Sequence, residues 1–149
     1  MISFWTSALM GAALLSSDPC GTAPASDGAE RAHADVVADY VDAYNARDLE
    51  AMSGLMHPDI QWLSVEEASI EIVADGKSDL SAQMRAYMDS SAATTSEIVD
   101  EVEDGCFIAV REIARWAALD GTERSQSALA VYELEDGTVR RVWYYPSGR

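Results

Sequence analysis

"DYVDAYNARDLEAMSGLMHPDIQW", residues 39–62, decides the fold. Upstream and into it, Val36, Val37, Tyr40, Val41 and Tyr44 recur at helical spacing, with Asp35, Asp39 and Asp42 on the opposite side. Asn45-Ala46-Arg47-Asp48 breaks that helix. Asp48 suits the N-cap of a second helix carrying Leu49, Met52, Leu55 and Met56, and Pro58 ends it. "DIQWLSV" then alternates Ile60, Trp62 and Ser64 against Gln61, Leu63 and Val65, which is a strand.

The pattern continues in the same key. "ASIEIVADG" reads as a second strand ending in an Asp-Gly turn. Ser78 caps a third helix with Leu80, Met84, Tyr87 and Met88 on one face. After it come long β segments divided by Asp-Gly pairs at 104–105, 120–121 and 136–137. Such pairs suit the left-handed residues of type I′ turns, so the segments form an antiparallel meander. Helices first and strands after, without βαβ alternation, make the chain α+β rather than α/β. A single domain over residues 32–149 is expected, with no internal repeat.

This order of elements resembles the nuclear transport factor 2-like superfamily and its SnoaL-like members. The resemblance rests on "YNARDLEAM" leading through "LMHPDIQW" to a strand, and on the closing "YELEDGTVRRVWYY". It implies a curved antiparallel sheet wrapped around three helices, with a cone-shaped pocket between them. The opening segment is most similar to the start of ketosteroid isomerase, which pairs an oxyanion-hole tyrosine with a protonated aspartic acid and an aspartate base. The resemblance puts Tyr40 at the oxyanion position. It puts Ser64 where the base would stand and Ala130 where the acid would stand. A serine of ordinary pKa does not abstract a carbon-bound proton unaided, so that mechanism is not expected.

Side chains alternate along a strand, so the faces can be sorted. In "CFIAVREIARW" one face carries Ile108, Val110, Glu112, Ala114 and Trp116, and the resemblance turns this face inward. Glu112 is then an acid in an apolar row, the setting in which a carboxyl becomes a general acid or base. The competing reading is a shifted register with Glu112 in solvent or paired with a neighbouring Arg. By the same parity the expected pocket wall is Tyr40, Tyr44, Trp62, Ser64, Glu112, Trp116, Gln126, Tyr132 and Tyr144. Aromatic walls with a few polar groups suit a small, mostly apolar molecule, and equally suit a filled aromatic core.

Three functions remain open on this reading. One is a cofactor-free isomerase, dehydratase or lyase with Glu112 as acid or base and Tyr40 as hydrogen-bond donor. Another is a non-catalytic ligand-binding domain. The third is an interaction module, because Trp143 and Tyr145 fall on the convex face and call for a cover, as in a homodimer.

The bulk composition excludes other classes. A net charge of −16 over 149 residues opposes binding to nucleic acid and to anionic lipid headgroups. Two distant histidines, His33 and His57, give no zinc pattern, and no P-loop, dinucleotide glycine motif or calcium loop occurs, so neither metal nor cofactor is expected. His57 is placed at the end of the second helix, where a cation meets the helix dipole favourably. "ISFWTSALMGAALL" (2–15) is too short for a comfortable membrane span and fits the core of a signal peptide. Ala23-Pro24-Ala25 offers a cleavage site, giving a leader over 1–25, a linker over 26–31 and an exported, periplasmic or secreted protein. A retained N-terminus would leave it cytoplasmic. Ser17-Asp18-Pro19 before Cys20 is a poor lipobox. Cleavage after Ala25 would leave Cys106 alone, as a small buried hydrophobe or a nucleophile.

Overall fold

The computed structural model describes Cys20 and residues 32–90 and 93–147. The leader and linker expected over 1–31 therefore lie, apart from Cys20, outside the described residues. Elements follow in the order α1 (His33–Asn45), α2 (Leu49–Gly54), β1 (Met56–Glu66), β2 (Ser69–Asp75), α3 (Lys77–Ser90), β3 (Thr95–Asp104), β4 (Phe107–Ala117), β5 (Glu123–Glu135) and β6 (Thr138–Pro146). The strands make one curved, unclosed sheet in the order β2-β1-β6-β5-β4-β3. Every neighbouring pair is antiparallel except β1 and β6, which run parallel. The fold is α+β, with three helices against the sheet's inner face.

Periodicity explains what the helices bury. Val36, Val37, Tyr40 and Val41 of α1 are all buried, and the first three share one core cluster with Ile108, Val110, Ala130, Tyr132 and Val142 from the inner face of β4–β6. Leu80 of α3 closes the core over β1, beside Met52 and Met56. Asp48 caps α2, its carboxylate accepting from the Ala51 N–H at 2.9 Å.

Three expectations need correction. The second helix stops at Gly54, and Met56 and His57 belong to β1. Met56 pairs with Val139 of β6, and the ladder then shifts before Gln61 meets Arg141, so Pro58 sits in an irregular stretch where its missing N–H costs nothing. His57 is thus no helix cap; its Nδ1 accepts from the Asp59 N–H at 3.1 Å. The Asp-Gly pairs also differ among themselves. Asp136 and Gly137 both have positive φ (50° and 69°), as a type I′ turn requires, and they join Glu135 to Thr138. At the β3–β4 turn the central residues are Gly105 and Cys106, and only the glycine has positive φ. Asp120-Gly121 lies in a longer loop closed by Ala118 and Thr122.

The third correction concerns Cys106. It is bonded to Cys20, 86 residues away, across a Cα–Cα distance of 5.2 Å. Reading it as unpaired followed from discarding Cys20 with the leader.

Candidate functional site

Between α1, α3 and the inner face of β1 and β3–β6 lies a cavity of about 150 Å³. Its wall consists of Tyr40, Val41, Tyr44, Met52, Trp62, Met84, Ser96, Glu112, Ala114, Tyr132 and Tyr144. Of the residues expected from sequence, Tyr40, Tyr44, Trp62, Glu112, Tyr132 and Tyr144 are brought together there. Ser64, Trp116 and Gln126 are not. Trp116 pairs with Arg124 near the β4–β5 loop and borders a shallow surface depression with Leu119. Gln126 is exposed at the far rim, in a cleft shared with Glu66 and Glu67. Ser64 lies between Glu71 and Tyr144, outside the cavity wall. Alternation along a strand assigns a face correctly but says nothing of where along it the helices stop.

Glu112 is 8% exposed, and the alternative of a salt bridge is not what is found. The neighbouring Arg111 and Arg115 face the other way and pair with Asp100 and Glu97. Both carboxylate oxygens of Glu112 are met by hydroxyls. Tyr132 Oη donates to Oε1 at 2.7 Å, and Ser96 Oγ donates to Oε2 at 2.8 Å. A buried carboxyl so satisfied avoids most of the cost of leaving water. Ser96 is itself fixed by Asn45 at the end of α1. The Asn45 side chain accepts from the Ser96 N–H at 2.7 Å and donates to the Ser96 carbonyl at 2.8 Å.

Tyr40 is in the opposite condition. It is 2% exposed, its ring stands edge-on to that of Tyr132 at 6.1 Å, and its hydroxyl has no hydrogen-bond partner among the described residues. Burial, with the nearby Glu112 charge second, raises its pKa well above that of an ordinary phenol. Tyr132 is raised for the same two reasons. Tyr40 therefore keeps its proton and presents an unused donor in a cavity that also holds a carboxyl.

The rest of the wall is aromatic and apolar. Trp62 and Tyr144 lie 6.0 Å apart between ring centroids. Tyr44 stacks on the exposed Tyr87 at 6.5 Å and connects the cavity to the surface. Tyr44 Oη donates to Tyr87 Oη at 3.4 Å, and Tyr87 Oη to Thr94 Oγ1 at 3.0 Å. Burial, and then the contacts with Tyr87, raise the Tyr44 pKa. Among the described residues lining the cavity there is no Lys, Arg or His.

Sequence reasoning missed Ser96, Met84, Met52, Val41 and Ala114. Ala114 was on the inward row of β4 and needed only to be counted as wall. Ser96 carried no signal, because its contact depends on the β3–β4 register, in which it faces Ala114. A cluster of His57, Glu135 and Asp136 comes within metal-binding distance, but Glu135 is paired with Arg140 at 3.2 Å and His57 Nδ1 is already an acceptor for Asp59.

Known proteins support the architecture. No curated protein matches this sequence. Among solved structures, an uncharacterised cystatin-fold protein from Novosphingobium aromaticivorans is 22% identical, over 76% of this chain and 97% of its own, with a TM-score of 0.65. A putative ketosteroid isomerase from Kribbella flavida is 17% identical over 78% of each chain, TM-score 0.65. An epoxide hydrolase of LEH-like type from M. tuberculosis is 15% identical, over 77% of this chain and 82% of its own, TM-score 0.65. At these identities the likeness concerns the fold alone. The SnoaL-like domain profile matches residues 37–142, most of the chain and all of the cavity wall except Tyr144. The protein therefore belongs to the SnoaL-like domain family.

Proposed function

We propose that the cavity binds a small, neutral, mostly apolar molecule carrying an acceptor oxygen, and that the protein is a cofactor-free acid–base enzyme of isomerase, dehydratase or lyase type. The observation that carries this reading is the buried, unpartnered Tyr40 hydroxyl beside Glu112. A buried donor left unsatisfied costs about 1–3 kcal/mol, which a ligand oxygen would recover. Glu112 then takes a proton next to that oxygen, and Tyr40 stabilises the negative charge that develops on it. Tyr132 and Ser96 hold the carboxyl in place, and the aromatic wall keeps water out.

Size and charge narrow the ligand. An apolar cavity of roughly 150 Å³ takes a molecule of about benzene size, so a single ring fits and larger molecules must protrude past Tyr44. With Glu112 inside and no cation in the wall, an anionic ligand is disfavoured. Calorimetric titration with a six-membered cyclic ketone tests the binding step. Binding that weakens at least tenfold in Tyr40→Phe supports the assignment, and equal binding by both proteins refutes it. A ketone that binds but is never turned over, in any member of a series, selects the non-catalytic alternative.

The convex face supports a second reading, self-association. Ile72, Leu63, Trp143, Val131, Ala109 and Val102 are cross-strand partners in one apolar row spanning all six strands. Val102 is 68% exposed, and Phe107, Leu129 and Tyr145 flank the row with large exposed surfaces. A second copy laid on this face would cover it. Light scattering should give a dimer for the native chain and a folded monomer for Trp143→Ala. A native monomer removes this proposal and leaves the cavity reading untouched.

A further inference from the structure

The N-terminal segment is where structure and sequence pull apart. Cys20 is 1% exposed and covalently joined to Cys106 in the β3–β4 turn. Its carbonyl also accepts from the Asp136 N–H at 2.6 Å, in the β5–β6 turn. The β3–β4 turn is also met by His33, at the start of α1, whose Nδ1 donates to the Gly105 carbonyl at 3.1 Å. Residue 20 thus joins two hairpin turns at one end of the sheet, beside the start of α1. Cleavage after Ala25 would remove half of this clasp.

We propose that the mature protein keeps Cys20, that it is cut upstream of that residue on export, and that the Cys20–Cys106 disulfide forms in an oxidising compartment. Three facts converge on this. Disulfides persist outside the reducing cytosol, which agrees with the apolar run at 2–15. Gly11-Ala12-Ala13, late in that run and upstream of Cys20, is a small-x-small triplet that offers a processing position sparing it. A sulfur engaged with Cys106 is not available for a thioether, so Cys20 is a structural cysteine and not a lipid anchor. The bond forms when both thiols give up their protons and two electrons to a protein disulfide oxidant, which leaves as a dithiol.

The clasp closes a long loop, so it constrains the unfolded chain strongly. The test uses the full chain expressed with its own N-terminus in an exporting bacterial host and recovered from the periplasm. Intact mass should give an N-terminus before residue 20 and no alkylation without reductant. After reduction, two cysteines should be alkylated. Cys20→Ser and Cys106→Ser should each lower the Tm by about 10 °C, as reduction of the native protein does. A mature chain starting at Ser26, a lipid mass on Cys20, or free thiols in the exported protein would overturn the proposal. So would a Cys20→Ser protein with unchanged Tm.

Discussion

Tyr40 and Tyr132 are neighbouring buried tyrosines whose hydroxyls answer to opposite demands. Tyr132 donates to Glu112, so Tyr132→Phe leaves Oε1 without its donor and should cost about 1–3 kcal/mol in chemical denaturation. Tyr40 donates to nothing, so Tyr40→Phe removes an unsatisfied polar atom and should leave stability unchanged or raise it by about 1 kcal/mol. A large loss of stability in Tyr40→Phe would mean that the hydroxyl has a structural partner. Stability sacrificed at one residue is what a site built for a ligand predicts. Both tyrosines were legible in sequence, Tyr40 by helical period and Tyr132 by strand parity. Their difference was not, because it depends on which hydroxyl reaches Glu112.

At the level of elements, the end of α1 governs the edge strand. β3 ends the sheet, and the Asn45 amide pairs with both backbone groups of Ser96 as a short surrogate strand. Asn45→Ala should cost about 1–3 kcal/mol. It should also speed amide exchange at Ser96, with residues on β5 and β6 unaffected. Uniform exchange across the sheet would argue against this local role. Asn45 was read only as part of a helix break, since sequence gives no hint of an edge 51 residues later that needs covering. The elements themselves were largely readable, from period and from turn residues. The error at Met56 and His57 arose because a helical apolar spacing ran two residues past the true end of α2. Parallel pairing with β6, a contact across most of the chain, claimed those residues for the sheet.

At the scale of the molecule, the buried and half-buried phenols couple stability to alkaline pH. Tyr40, Tyr44, Tyr132 and Tyr144 all have pKa values raised in the folded state, burial being the first cause for each. Their stabilising contribution is complete below the unfolded phenol value of about 10 and is lost progressively above it. Denaturation midpoints should therefore fall as pH rises past 10, and absorbance titration should find these phenols ionising together with unfolding. A smooth titration of every tyrosine near pH 10 in a folded protein would contradict the burial on which the site depends. The most direct test of the site is hydrogen–deuterium exchange at the α-carbon of a six-membered cyclic ketone, followed by NMR in D₂O. Native protein should accelerate exchange over buffer, Glu112→Gln should abolish the acceleration, and Tyr40→Phe should reduce it by about 10²–10³-fold. Exchange at the buffer rate with native protein, or acceleration that survives Glu112→Gln, would contradict the role given to this pair.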